Sequence, residues 1–171
     1  MDVPLTLRVD VRERLAELYV EHAPSAGKLA YLLTGDRDLA ADLTQEAFAR
    51  VARGLRGLRN EDAFGWYLRR TIVNLARRQW RQNSRRRAFE QEEGHRVARA
   101  IMPDQDLETR DVLWRVMHRL PYRQRAAIAL RYYEDLSEQE IASVLRCAPG
   151  TVKSLIFRGL RTMRAELEDQ L

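Results

Sequence analysis

Apolar side chains recur at three- and four-residue spacing almost from end to end of this chain, a period that admits helices and little else. Glycines and prolines are few, 8 and 5 in 171 residues, and runs of β-branched residues are short. The pattern predicts an all-α protein without a sheet. Helices are expected near 10–22, 25–33, 37–55, 62–82, 107–119, 122–133, 138–145 and 149–167. Between the fourth and fifth lies "RQNSRRRAFEQEEGHRVARAIMPDQDLETR" (81–110), where the period fades and charge of both signs takes over. The expected organisation is therefore two small helical domains, 8–82 and 107–169, joined by a charged linker, 83–106. Each is small enough that burial is limited and a partner would assist its stability.

Thirty Lys and Arg against twenty-five Asp and Glu leave a net charge of +5, which suits a polyanionic partner without requiring one. The single cysteine, Cys147, excludes an internal disulfide, and three scattered histidines, His22, His95 and His118, have no metal-ligand spacing. Neither a metal nor a cofactor is expected. No signal-peptide core and no run of roughly 20 apolar residues is present, so the expected location is the cytoplasm, with no membrane partner.

The segment "DLSEQEIASVLRCAPGTVKS" (135–154) carries the most local information. Ser137 and Glu140 stand three apart, the capping-box pattern, so a helix should start at Glu138. Arg146 to Ala148 supply a short turn, and Pro149 suits the first position of the next helix. Two helices so joined form a helix-turn-helix, whose second member enters the major groove of DNA. On that helix Val152, Ile156, Leu160, Met163 and Leu167 should form an apolar back, with Gly159 beside it for close approach. Ser154, Phe157, Arg158 and Arg161 should form a cationic, hydrogen-bonding front, flanked by Lys153 and Arg164. Arginine can fork onto guanine or bind phosphate, and an aromatic edge can meet a thymine methyl. Cys147 is expected only to fill the turn.

The first half differs in kind. "LLTGDRDLAADLTQEAFARVARGL" (32–55) is acidic and polar around Asp42, Gln45 and Glu46. "NEDAFGWYLRRTIVNLARRQWRQNSRRR" (60–87) is aromatic and then basic, with eight arginines between Arg69 and Arg87 and no acid among them. A helix of that composition suits melted or single-stranded nucleic acid, where aromatics stack on bases and arginines follow the backbone.

Taken in order, "GDRDLAADLTQEAF", "AFGWYLRRTIVNLARR", "LPYRQRAAIALRYYEDLSEQEIASVL" and "GTVKS" resemble the extracytoplasmic-function sigma factors, small initiation subunits of bacterial RNA polymerase. The resemblance implies that the first domain is sigma region 2. It would grip the clamp coiled coil of the polymerase's largest subunit through Asp42, Gln45, Glu46 and Phe48. It would also capture and melt the minus-ten element through Phe64, Trp66, Tyr67, Arg70, Asn74, Arg77 and Arg78, with the loop from Arg59 to Tyr67 as the base-capturing segment. The chain departs from the family's frequent Phe-x-x-Trp-Leu here, having "FGWYL", which puts Tyr67 at the usual tryptophan position.

The second domain would be region 4, reading the minus-thirty-five element through Lys153, Ser154, Phe157, Arg158 and Arg161. At Leu155 the family commonly has arginine. The implied partners are core polymerase and promoter DNA, with no small-molecule substrate; a variant of this reading has an anti-sigma factor wedged between the domains. A stand-alone helix-turn-helix repressor or activator is the alternative from another class. An enzyme finds no support, since no nucleophile–base pair, metal cluster or phosphate-binding glycine loop is present.

Overall fold

The computed structural model describes residues 5–54, 62–83 and 107–168. Among the described residues seven helices follow one another: α1 (Leu5–Thr34), α2 (Arg37–Gly54), α3 (Asp62–Asn83), α4 (Leu107–Arg119), α5 (Tyr122–Tyr132), α6 (Glu138–Leu145) and α7 (Pro149–Glu168). Among the described residues there is no strand, and no helix is long and apolar enough to cross a membrane. The body of the expected linker lies outside the described residues.

Helices α1, α2 and α3 pack on one another around Leu29, Leu33, Leu43, Ala47, Phe48, Phe64, Leu68 and Ile72, all buried. The two helices expected at 10–22 and 25–33 are a single helix that runs through Pro24. A proline inside a helix removes one backbone hydrogen bond. Pro24 is exposed, so water can satisfy the carbonyl it frees, while Leu18, Ala26 and Leu29 hold the opposite side in the core. The turn into α2 is tight. Gly35 takes φ +77°, the left-handed conformation that favours glycine, and its N–H donates to the Tyr31 carbonyl at 2.8 Å. Asp36 then caps α2 by accepting from the Leu39 N–H at 2.9 Å.

Helices α4 to α7 enclose a second set of buried residues, including Val116, Leu120, Ala126, Leu130, Ile141, Val144 and Val152. The two halves also touch. Tyr31 of α1 stacks on Trp114 of α4 with centroids 4.5 Å apart, and the Tyr122 hydroxyl donates to the Val73 carbonyl at 2.6 Å. Burial pushes the Tyr122 phenol well above its ordinary pKa, and Tyr31 up to about 12.

Candidate nucleic-acid and polymerase interfaces

The helix-turn-helix begins with the capping box. The Glu140 N–H donates to Ser137 Oγ at 3.3 Å, and the Ser137 N–H donates to Glu140 Oε2 at 2.8 Å. The Ser137 hydroxyl also donates to that carboxylate at 2.7 Å, and the hydrogen bonds from Ser137 hold the Glu140 carboxyl below its ordinary range. Ile141, Ala142, Val144 and Leu145 bury the inner side of α6. Arg146 ends the helix at φ 51°, an unusual conformation for a residue with a Cβ, and the Cys147 N–H closes the turn onto the Ala142 carbonyl at 3.0 Å. Cys147 is half-buried against the core, as expected of a turn-filling thiol.

Pro149 opens α7, and the helix lies so close to α5 that a Cβ on Gly159 would sit 2.6 Å from Ile128 Cδ1. Its inner side is Val152, Leu155, Ile156, Gly159 and Met163. Leu160, expected on this stripe, is instead 40% exposed: the contact line passes through Leu155 and Gly159, which leaves Leu160 at its outer margin. Leu155, at the family's usual arginine position, thus packs as an apolar residue. An ion pair between Arg119 and Glu166 at 2.6 Å ties the far end of α7 to α4.

All five residues that the resemblance assigns to the minus-thirty-five element face solvent: Lys153, Ser154, Phe157, Arg158 and Arg161. Phe157 is 66% exposed, beyond anything folding requires of it. Ser154 Oγ donates to the Gly150 carbonyl at 3.0 Å, and Arg158 Nε to the Ser154 carbonyl at 3.3 Å, so both are anchored along the helix while remaining accessible.

On α3 the expected residues divide. Phe64 is fully buried, beside Phe48 and His22, and cannot present its ring to a base; it is a core residue, drawn inward because it begins the stripe Phe64, Leu68, Ile72, Leu75. Trp66 is half-buried, with the Arg70 guanidinium 5.0 Å above its ring. Tyr67 is 42% exposed and meets Trp66 edge-on. Further along, Asn74, Arg77 and Arg78 line an open groove of about 320 Å³ together with Arg81 and Gln82. The last two were not among the expected site residues, although Asn74, Arg78 and Gln82 are four apart, as are Arg77 and Arg81. That helical spacing was available in the sequence.

Helix α2 buries Ala40, Leu43, Thr44, Ala47, Phe48 and Val51 and exposes Asp42, Gln45 and Glu46. Glu46 pairs with Arg50 one turn on, at 2.5 Å. Phe48 is only 5% exposed, wedged between Tyr19 and Phe64, so its place in the expected polymerase contact is corrected to that of a support beneath the helix. Among the described residues no group of three or more His, Cys, Asp or Glu side chains could hold a metal ion.

Comparison with known proteins finds a family match in each half of the chain. Residues 18–86 match the model of sigma-70 region 2, and residues 110–163 that of sigma-70 region 4. The chain is 32% identical over 148 residues to the RNA polymerase sigma-H factor of Pseudomonas aeruginosa, covering 80% of this chain and 77% of that one. It is 34% identical over 140 residues to the ECF RNA polymerase sigma-E factor of Escherichia coli, covering 75% and 72%. A third relative, the ECF RNA polymerase sigma factor SigE of Mycolicibacterium smegmatis, is 35% identical over 154 residues, which are 86% of this chain and 59% of the relative. The fold resembles that of the sigma factor RpoE from Bartonella quintana, solved in complex with the anti-sigma factor NepR, with a TM-score of 0.63 at 22% identity over 93% of this chain and 97% of that one. The chain belongs to the extracytoplasmic-function sigma factors, bacterial initiation factors that direct RNA polymerase to promoters and are not themselves enzymes.

Proposed function

We propose that the chain reads a promoter at two points, with residues 8–82 as the polymerase-binding and minus-ten domain, 83–106 as the tether and 107–169 as the minus-thirty-five domain. The observation that carries this reading is the outward face of α7, where Lys153, Ser154, Phe157, Arg158 and Arg161 are free of the core that Val152 and Gly159 seal from behind. Such a face reaches base edges and phosphates without unfolding anything.

In the first domain Asp42, Gln45 and Glu46 offer the clamp coiled coil of the largest polymerase subunit an exposed polar row on a rigid helix. Tyr67 is the aromatic available to stack on a flipped minus-ten base, with Trp66 edge-on to it and Arg70 over the Trp66 ring, and Asn74, Arg77 and Arg78 hold the displaced strand along the groove. Flipping a base costs a few kcal/mol, which stacking and phosphate contacts offset. The reaction needs no catalytic side chain. Its site of action is the cytoplasm, where polymerase and chromosome meet. An anti-sigma factor is proposed as a regulatory partner on the fold shared with the Bartonella quintana factor, which was crystallised with one.

Run-off transcription with purified core polymerase on a genomic promoter library tests the reading. Specific transcripts that depend on the chain are expected, and Asn74→Ala should abolish open complexes while core polymerase is still bound. Tight duplex binding without polymerase, and no transcript with it, would point to a stand-alone regulator instead.

A further inference from the structure

Among the described residues two that are not glycine take a positive φ, Asp135 at 52° and Arg146 at 51°. Aspartate tolerates the left-handed region because its short polar side chain bonds locally, whereas a long side chain on a Cβ is strained there. Arg146 adopts it at the end of α6, in the turn of the helix-turn-helix. The backbone has a clear use for that conformation, since the Arg146 and Cys147 N–H groups both donate to the Ala142 carbonyl. Glycine would close the turn in the same way without strain, so the turn accounts for the conformation and not for the side chain. That side chain is exposed, and among the described residues no hydrogen bond or ion pair holds its guanidinium. A cation is favourable at a helix C-terminus, yet the exposed position of Ser143, in the last turn of α6, would supply one without a left-handed residue. Strain of this kind persists where a function keeps it.

Charge narrows the choice of function. From 132 to 152 the chain carries four acids, Glu134, Asp135, Glu138 and Glu140, and a single cation, Arg146. The first helix of a helix-turn-helix crosses the DNA backbone while the second lies in the major groove. On α6 and its turn, Arg146 is therefore the one side chain that can meet a phosphate with opposite charge. The major groove is about 12 Å wide and a helix with its side chains about 10–12 Å across, so the phosphate walls lie against the flanks of a seated helix. Arg146 stands three residues before Pro149, the first residue of α7, at most about 10 Å of extended chain away. A long cationic side chain at that place reaches the wall.

We propose that Arg146 grips a backbone phosphate of the minus-thirty-five duplex beside the N-terminal end of α7, and that arginine is kept in a glycine-like turn for this contact. The inference rests on the reading of α7 as the minus-thirty-five helix. A phosphate contact carries no sequence information, so Arg146 sets affinity and register while the outer face of α7 selects the bases.

The test is equilibrium binding of the assembled holoenzyme, core polymerase with the full chain, to promoter duplex across a salt series. Arg146→Gly should weaken binding about tenfold, equally on promoters with altered minus-thirty-five bases, and should reduce the slope of log K against log salt by about one. Urea unfolding of the same variant should give a midpoint at or above that of the wild type, because glycine relieves the strained turn. Arg146→Lys keeps the charge in the same turn and should return the salt slope to its wild-type value. A turn merely made looser would weaken binding with the slope unaltered; that result, or a lysine variant that behaves like the glycine one, would overturn the proposal. So would a lower unfolding midpoint for Arg146→Gly, which would make the side chain structural. Arg158→Ala measured in parallel separates the two readings. If it weakens binding and Arg146→Gly does not, the phosphate contact alone fails, whereas if neither variant has an effect the assignment of α7 itself fails.

Discussion

Helices α3 and α7 both meet nucleic acid in the proposed mechanism, yet they are built differently. Helix α7 separates its two tasks by face: everything structural points inward and every proposed contact points out. Helix α3 mixes them. Its Phe64 is core, its Trp66 is half core and half platform for Arg70, and only from Tyr67 onward do exposed polar and aromatic positions alternate with buried Leu68, Ile72 and Val73. The difference fits the ligands proposed for each. A duplex groove is a fixed shape that a finished helix face can enter, whereas an unpaired base needs a recess, and a recess needs walls that also belong to the core.

The contrast is most severely tested by Phe64→Ala. Removing a fully buried ring should cost about 3–5 kcal/mol in urea unfolding, whereas Tyr67→Ala should leave the unfolding midpoint nearly unchanged and impair open-complex formation. Equal stability in the two variants would erase the distinction drawn within α3. On α7, Gly159→Val should destabilise the second domain by about 1–3 kcal/mol, because its Cβ has no room against Ile128. Arg158→Ala should leave folding intact and lose about 1–3 kcal/mol of binding, at one promoter position if it reads a base and at all sequences alike if it holds phosphate. Unaltered promoter binding would remove Arg158 from the front.

The smallest effect belongs to the capping box. Ser137→Ala should cost about 1 kcal/mol of stability. Because the folded-state carboxyl of Glu140 is depressed, its stabilising effect is fully present above the ordinary value of 4.5 and is lost as pH falls through the lower folded value. A urea series in that acidic window should therefore show a decline in the wild type that Ser137→Ala lacks.

What could be seen in the sequence was what is encoded locally. The capping box, the turn and Pro149 all act within a few residues of themselves, and α6 and α7 begin where Glu138 and Pro149 predicted. Pro24 misled, because a proline on the exposed side of a helix interrupts the pattern without interrupting the helix. Phe64 misled for a different reason, and Phe48, legible as core beside Leu43 and Val51, shares its ambiguity. Each satisfies a family motif position and also a core stripe, and only the packing of α1 against α2 and α3 decides which use prevails. The seam between the halves left no periodic trace, since Tyr122 and Val73, or Arg69 and Glu134, meet across 49 and 65 residues.

The turn at Arg146 and the tight seat of Gly159 fix where α7 stands without recruiting a single residue of its outer face. Lys153, Ser154, Phe157, Arg158 and Arg161 are therefore interchangeable letters on a constant frame. On the proposed reading, new promoter preferences can arise there one substitution at a time, in evolution or at the bench, while the domain that carries them folds as before.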